Sequence, residues 1–333
     1  MSNNAEKVSV SFIVIAHNEQ ERIATALTSL LDQETTKNFE IIVVDDGSTD
    51  KTVEVAKHIL IGFKRNEIIS FSKNQGRGAA RLAGQLKATG SYLAFVDSDV
   101  ALPLNWIERV CSALENEGLD AASGVAIPDG DCVVIARIAN LEPKVRGGSA
   151  ALTGNNLFIK RHVIAKVPFQ NLPYGDDIRL AWDLERAGFS TRSIGDLVIE
   201  HAESKSFKRT VVWQYQQGKE ATSLLWDYKK IRVPDLAWFG SLLVLVLVSI
   251  VWQNTNFLAG IFLSEFAYCF LVSTVFLYSR FHLKLLSSRT YLAINVNSIF
   301  MASYLVGRLV GLIPRRRRGS GYLSESGVDK LGV

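Results

Sequence analysis

Cysteine is scarce in this chain, with only three residues, Cys111, Cys132 and Cys269. Their spacing matches no common metal-binding pattern, and they do not suggest a disulfide framework. We therefore expect the three cysteines to be core residues, and we expect no zinc site built from them.

An excess of one charge is also missing, because 37 Lys and Arg residues stand against 33 Asp and Glu residues, a net charge of +4. A net positive charge of this size is too small to indicate a nucleic-acid partner, and we expect none. The basic residues are instead concentrated locally, at Arg315 to Arg318 beside apolar segments. Such a run is typical of binding to an anionic membrane surface. The alternative, a nuclear-localisation signal, fits poorly beside membrane spans.

The N-terminus lacks an apolar run. Residues 1–7 are polar and contain no h-region, so the sequence predicts no signal peptide. We expect these residues to be disordered and the domain that begins at Val8 to lie in the cytoplasm.

Two common nucleotide-binding motifs are absent as well. Gly76-Arg77-Gly78 is not continued as G-x-G-x-x-G, because residue 81 is Arg, and no P-loop lysine motif occurs. An ATPase function is therefore disfavoured, and the two glycines could belong to a simple flexible loop.

The chain does contain a repeated alternation of apolar and polar segments. Residues 8–16, 39–44, 67–72 and 92–97 have the continuous apolar character of strands covered on both faces. Helical patterns follow the first three, which predicts an α/β fold with a parallel sheet and right-handed crossovers. Polar clusters that end such strands gather at one edge of the sheet, where open α/β sheets bind ligands.

Two carboxylates end the fourth strand, at Asp97-Ser98-Asp99. In an extended chain both acids point to the same side, and each raises the pKa of the other unless a cation lies between them. A hard divalent ion that also takes oxygens from a substrate phosphate resolves this repulsion. The alternative is a solvated turn, since D-x-D also occurs by chance.

The neighbouring clusters strengthen the ligand hypothesis. Asp45 and Asp46 end the second strand, where a turn with a helix cap is the alternative, and Arg77 and Arg81 follow the third. The acids suit a base, a ribose and a metal ion, and the arginines offer forked donors to a diphosphate. Together they predict a nucleoside diphosphate ligand.

Four segments together resemble the family 2 glycosyltransferases with the GT-A fold, and the resemblance extends over roughly residues 8–225: Ser11 to Glu19, Ile42 to Asp50, Asn74 to Arg81 and Phe95 to Asp99. It implies a UDP- or GDP-linked sugar donor and a divalent metal, Mg2+ or Mn2+, at Asp97 and Asp99. The substrate-binding residues that it implies on the donor side are Ala16, Asn18, Glu19, Asp45, Asp46, Arg77, Arg81 and Asp97.

A second acidic pair, Asp176-Asp177, precedes a helical pattern over Ile178 to Ala187. The plain alternative is an acid pair that complements the helix dipole. The resemblance implies that Asp177 is the general base and that Asp176 replaces the Glu usual at this position. Inverting glycosyl transfer needs such a base, because the acceptor hydroxyl must lose its proton as it attacks the anomeric carbon.

His201 and the segment Trp213 to Lys219 complete this half. A core or capping histidine is one interpretation of His201, and the resemblance implies instead a contact with the diphosphate. The segment at Trp213 lacks the Arg-Trp pair of processive family members, which favours transfer of a single sugar.

The C-terminal part carries the apolar segments. Residues 236–252 and 257–279 are predicted spans, and their flanking Lys and Arg residues place the catalytic domain in the cytoplasm. Residues 291–313 fit either a third span or an in-plane helix, and the in-plane form is favoured because it keeps every basic cluster inside.

The predicted organisation is a disordered N-terminus at 1–7, a GT-A domain at 8–228, a membrane region at 229–313 and a basic disordered tail at 314–333. Within the GT-A domain, residues 8–100 form the nucleotide-sugar half and residues 101–228 the acceptor half. The predicted fold is a mixed, mainly parallel sheet flanked by helices, followed by a transmembrane helical hairpin. The predicted protein is a multi-pass membrane glycosyltransferase acting on a lipid-linked or glycan acceptor. The alternatives are a sugar- or lipid-nucleotidyltransferase and a catalytically silent scaffold.

Overall fold

A computed structural model describes most of the chain, and its residues form two compact units. The predicted disordered ends, 1–7 and 314–333, lie outside the described residues. The described residues are 9–127, 131–141, 152–170, 172, 175–201, 206–231, 233–251, 257–284 and 287–312.

The first unit contains an eight-stranded sheet with the order β3-β2-β1-β4-β7-β6-β8-β5. The strands are β1 (Val10–Ala16), β2 (Phe39–Asp45), β3 (Asn66–Ser70), β4 (Tyr92–Asp97), β5 (Val100–Ala101), β6 (Ala121–Ile127), β7 (Asn156–Lys160) and β8 (Thr191–His201).

Strand direction divides this sheet into two halves. The first four neighbours, β3, β2, β1 and β4, all run parallel. Strand β7 then pairs antiparallel with both β4 and β6, while β6 and β8 are parallel. The predicted mixed, mainly parallel α/β sheet is confirmed, and its four parallel neighbours all lie within residues 10–97.

Strand β1 is buried along its whole length, because helices cover both faces of the sheet. Phe12 and Val14 belong to one apolar cluster, and Ile13 and Ile15 belong to the other, as expected for alternating side chains. The helices of this unit are α1 (Ile23–Leu31), α2 (Thr52–Ile59), α3 (Arg77–Lys87), α4 (Trp106–Asn116), α6 (Arg161–Lys166) and α7 (Asp176–Arg186).

The second unit is helical. It contains α5 (Asp131–Ala139), α8 (Phe207–Tyr228), α9 (Val233–Val251), α10 (Phe257–Arg280) and α11 (Ser288–Gly311). Among the described residues, two segments are long and apolar enough to cross a membrane by length and composition, Gly260–Arg280 and Ser288–Gly311. The apolar stretch of α9 is shorter, at Asp235–Leu247.

Polar side chains join these helices. Glu265 of α10 accepts a hydrogen bond from Ser241 of α9 at 2.6 Å, which gives this carboxyl group a polar partner between two apolar helices. The hydroxyl of Tyr268 donates to the carbonyl of Ala237 at 2.6 Å. The two bonds pair increasing numbers on α9 with decreasing numbers on α10, so these helices are antiparallel.

Candidate active site

The turns after β1 and β2 are bonded to each other at the carboxyl edge of the sheet. The amide of Asp46 donates to the carbonyl of Ala16 at 2.8 Å. The amide of Asn18 donates to the hydroxyl of Ser48 at 2.9 Å, and the side chain of Asn18 accepts from the amide of Thr49 at 2.8 Å. Asn18 has a φ of 57°, a conformation in which Asn is favoured over most residues. The two predicted donor-side turns therefore form one surface.

Asp45 and Asp46 have different tasks within that surface, and both are buried. Asp45 accepts from the amide of Ser48 at 3.2 Å, so its carboxylate stabilises the turn that follows β2. Asp46 accepts from the amides of Gln75 at 2.6 Å and Gly76 at 2.9 Å. Burial raises the pKa of Asp46, although these two amides lower it. Asp46 thus connects the β2 turn to the loop that opens α3.

Glu19 forms a salt bridge with Arg22 at 2.6 Å. Burial is the main reason that the pKa of Glu19 is raised, and the negative charges of Asp99 and Asp97 raise it further while Arg22 opposes them. The β1 turn therefore lies within electrostatic range of the carboxylates at the end of β4.

Arg81 is the cation at the centre of the site. Its Nη2 atom lies 3.2 Å from Asp97 Oδ1 and 3.1 Å from the carbonyl oxygen of Gly154, and its Nη1 atom is paired with Asp176. Its guanidinium also lies 5.1 Å from the ring centre of Phe169. Burial lowers the pKa of Arg81, yet Asp176 and Asp97 raise it overall, so the group stays protonated.

Arg81 leaves no space for a side chain at residue 154, which is glycine. A Cβ atom at residue 154 would lie 2.8 Å from Nη2 of Arg81, closer than real Cβ contacts. Any side chain there would therefore displace the guanidinium that holds Asp97 and Asp176.

Arg77, one turn before Arg81, is placed differently. Its Nη1 atom is 3.9 Å from Asp97 Oδ2, and 56% of its side chain is exposed. A loose, exposed contact of this kind leaves the guanidinium able to turn towards a ligand, whereas Arg81 is 1% exposed.

Asp99 and His201 meet because β5 pairs with the end of β8, with Val100 opposite His201. The Nε2 atom of His201 is 3.3 Å from Asp99 Oδ1. Burial alone would raise the pKa of Asp99, but the hydrogen bond and charge of His201, together with Arg77, lower it overall. The histidine predicted at the diphosphate therefore lies directly beside Asp99, the second acid of the D-x-D pair.

Asp177 lies in the first turn of α7, which starts after Gly175 with a φ of 69°. Its Oδ1 atom accepts from the amide of Ile178 at 2.8 Å, and its Oδ2 atom accepts from the amide of Gly154 at 3.4 Å. Asp176 is 3% exposed and paired, while Asp177 is only partly buried. Through Gly154 and Arg81, Asp177 is connected to Asp97.

The donor set is suitable for a divalent metal that is shared with a substrate. Asp97 and Asp99 supply carboxylate oxygens, which Mg2+ and Mn2+ prefer. Within the described part of the chain, no group of three or more His, Cys, Asp or Glu side chains could hold a metal ion by itself. An ion here would complete its shell with water and phosphate oxygens, the usual situation of Mg2+ at phosphate sites.

Two residues of the site are absent from the sequence-based prediction. Gly154 contacts both Arg81 and Asp177, and Phe169 lies against Arg81. Neither was predicted as a site residue, because the side chains that they contact are far away in the chain. A glycine directly before two asparagines at a strand start is the only hint that the sequence offers.

Comparison with known proteins identifies the family. Residues 11–163 match the family model for glycosyl transferase family 2. The chain is 30% identical over 220 residues to glycosyltransferase AglE of Haloferax volcanii, covering 63% of this chain and 72% of that protein. It is 33% identical over 117 residues to the dolichyl-phosphate β-glucosyltransferase of Saccharomyces cerevisiae, covering 33% of this chain and 35% of that protein. The chain belongs to glycosyl transferase family 2.

A solved structure has a similar fold. The mannosyltransferase PcManGT from Pyrobaculum calidifontis, in complex with GDP-Man and Mn2+, superposes with a TM-score of 0.61 over 92% of this chain and 88% of that chain. The sequence identity is 16%, so the likeness concerns the fold alone. This likeness confirms the predicted GT-A fold, and the family match confirms the predicted glycosyltransferase class.

Proposed function

We propose that this protein is an inverting glycosyltransferase that moves a single sugar from a nucleotide-diphospho-sugar to a lipid-linked or membrane-associated acceptor. The observation that carries the proposal is the connection between Asp97 and Asp177 through Arg81 and Gly154. It brings a partly exposed carboxylate to the edge of the sheet where the donor-side acids lie.

The donor half of the proposal rests on Asp97, Asp99 and Arg77. Asp97 and Asp99 would hold Mg2+ or Mn2+, and the metal would stabilise negative charge on the leaving diphosphate. PcManGT binds GDP-Man and Mn2+, which supports a donor and metal of this class. Arg77, being exposed, is the arginine we assign to the diphosphate, and Asp45 and Asp46 are assigned to the nucleoside.

The acceptor half rests on Asp177. As general base it accepts the proton of the attacking hydroxyl while the sugar–diphosphate bond breaks on the opposite face, which inverts the anomeric carbon. Asp176 is proposed to act indirectly, because its carboxylate is buried and paired with Arg81.

The membrane-bound acceptor rests on two independent observations. Helices α9 and α10 form an apolar hairpin in which Gly260–Arg280 is long and apolar enough to cross a membrane, and one relative is named for a dolichyl-phosphate substrate. A site held at the bilayer meets a lipid substrate in two dimensions, and we propose that it faces the cytoplasm.

Replacing Asp177 by Asn tests the base assignment. Because amide nitrogen and oxygen cannot accept this proton, transfer should fall by roughly 10²–10⁴-fold. Binding of UDP or GDP with Mn2+, measured by calorimetry, should be unchanged. Asp196→Asn is the matched control, since the Asp196 side chain is 81% exposed and forms a surface salt bridge with Arg109. Near-full turnover of Asp177→Asn would overturn the assignment.

Replacing Asp99 by Ala tests the metal site. Metal-dependent nucleotide binding should weaken, while nucleotide binding measured in EDTA should be unaffected by the substitution. The donor is identified by thermal stabilisation across a series of UDP- and GDP-sugars, each with Mn2+. Equal metal dependence in the Asp99→Ala variant and the parent would contradict the site.

A further inference from the structure

Helices α8 and α11 run side by side in the same direction. Phe207 packs against Phe300 with ring centres 5.4 Å apart, and the carbonyl of Val211 accepts from the hydroxyl of Ser303 at 2.7 Å. Further along, the hydroxyl of Thr222 donates to the carbonyl of Arg308 at 2.9 Å. Residue numbers increase together on both helices, so the contact is parallel.

The contact is close enough to involve the two backbones. A Cβ atom on Gly218 would overlap the carbonyl oxygen of Tyr304, and one on Gly307 would overlap the carbonyl oxygen of Tyr215. Small residues permit this approach in helix pairs. Any position that α11 takes relative to a membrane therefore also fixes the position of α8.

This pairing is incompatible with α11 crossing a bilayer. The middle of the apolar segment Ser288–Gly311 lies at Phe300, beside Phe207. Lys208 and Arg209, the next two residues of α8, are exposed. A spanning α11 would carry both cations to the centre of the hydrocarbon, where charged side chains are rarely tolerated.

The ends of α11 give a second, independent reason. Its first turns share an apolar cluster with Leu277 and Phe281 at the end of α10. Near its other end, Arg308 is paired with Asp235 in the first turn of α9 at 2.7 Å. Because α9 and α10 are antiparallel, the start of α9 and the end of α10 lie on the same side of their hairpin.

The ring centre of Tyr291 in the first turn of α11 also lies 6.0 Å from that of Phe270, and Leu305 shares a cluster with Cys269. Both ends of α11 therefore contact the half of the hairpin that contains the start of α9 and the second half of α10.

We infer that α11 lies in the membrane interface beside α8, with an apolar stripe turned towards the lipid, and that only α9 and α10 enter the hydrocarbon. The stripe consists of Leu292, Ile299, Val306 and Leu309, which are 41–52% exposed. Their spacing places them on one face of a helix. The exposed Lys208 and Arg209 are complementary to anionic headgroups at the same level. The inference rests on the proposed membrane attachment.

Spin-label depth measurements test this placement. Single cysteines replace the four stripe residues in a full-length chain whose native Cys111, Cys132 and Cys269 are changed to Ala, and the labelled protein is placed in nanodiscs containing phosphatidylglycerol. Collision rates with oxygen and with a nickel chelate then give the depth of each label. We expect all four labels at one shallow depth, about 5–10 Å into the headgroup and acyl boundary.

Labels on α10 are the matched control. Phe262, Phe266 and Val275 are exposed on that helix, and their depths should change by about 1.5 Å per residue. If the stripe changes depth in the same way, by about 25 Å between residues 292 and 309, α11 is a third span and the inference is wrong. The inference would also be wrong if the stripe labels lie in water while the depths of the α10 labels change along that helix. If the α10 labels are in water too, the proposed membrane attachment itself has failed.

A topology measurement on the chain with its native cysteines provides an independent test. Epitope tags at the two ends should be cleaved by protease from the same side of sealed membrane vesicles, because two spans return the chain to its starting side. Tags on opposite sides would require an odd number of spans and would overturn the inference.

Discussion

Arg81 is a fully buried cation with two carboxylates, a carbonyl oxygen and an aromatic ring around it. Buried ion pairs are held at a large desolvation cost, and removing one partner leaves the other charge uncompensated. At residue scale, the position of Asp97 relative to Asp176 therefore depends on this one side chain.

Arg81→Ala should destabilise the protein by about 3–5 kcal/mol, because two buried carboxylates lose their counterion. Arg77→Ala is the matched control, since 56% of the Arg77 side chain is exposed and its contact with Asp97 is loose. Its effect on stability should be below about 1 kcal/mol. Denaturant unfolding followed by circular dichroism measures both, and equal effects would contradict the assigned role of Arg81.

Individual residues of the site were predictable where they follow a strand. Asp45, Asp97 and Asp99 end apolar segments, so the rule for the carboxyl edge of α/β sheets applies to them directly. The partners of Arg81 were not predictable, because Gly154 and Asp176 are 73 and 95 residues away. Sequence alone suggested a ligand contact for Arg81, and its burial depends on packing that no local pattern records.

At the scale of elements, the contact between α8 and α11 depends on glycine. Gly307→Val should lower stability by about 1–3 kcal/mol, because the added side chain has no space against Tyr215. Ala302→Val places the same valine side chain at an exposed position of the same helix and should have little effect. Thermal unfolding in detergent compares the two variants, and a similar loss in both would contradict the close crossing.

Elements differed in how clearly the sequence indicated them. Strands β1, β2 and β4 are buried nearly throughout, and their continuous apolar segments were sufficient to predict them. Helix α11 was ambiguous because its buried face carries polar residues, including Asn297, Ser298 and Arg308. Those residues dilute the hydropathy, and their environment is supplied partly by α8, which a hydropathy profile cannot show.

At the scale of the whole molecule, the proposed anchoring depends on the exposed apolar side chains of α10. The full chain should stay in the membrane fraction after extraction with alkaline carbonate. Changing both Phe266 and Leu271 to Lys should release a larger fraction, because each charge costs about 2.5–3.5 kcal/mol at the centre of a span. Leu104→Lys, at a residue 51% exposed in the first unit, is the control and should not change the partition. Complete release of the parent chain would contradict the anchoring.

The arrangement of the molecule was predicted only in part. The α/β class followed from the alternation of segments, and the mixed sheet was expected from the family resemblance. The sequence did not indicate which helices pack against each other, because a pair such as α8 and α11 joins residues about 90 positions apart. Patterns along a chain describe faces of elements, and they do not identify the partner that covers each face.

The antiparallel pairing of β4 with β7 affects which parts of this domain can change in sequence without moving the candidate site. Val96 lies opposite Asn156, and the amide of Asp97 donates to the carbonyl of Asn155 at 3.1 Å. The two halves of the sheet are therefore joined by backbone pairing, with no hinge between β4 and β7. If the second half holds the acceptor, as proposed, its side chains can vary to suit a new recipient molecule while Asp97 keeps its position.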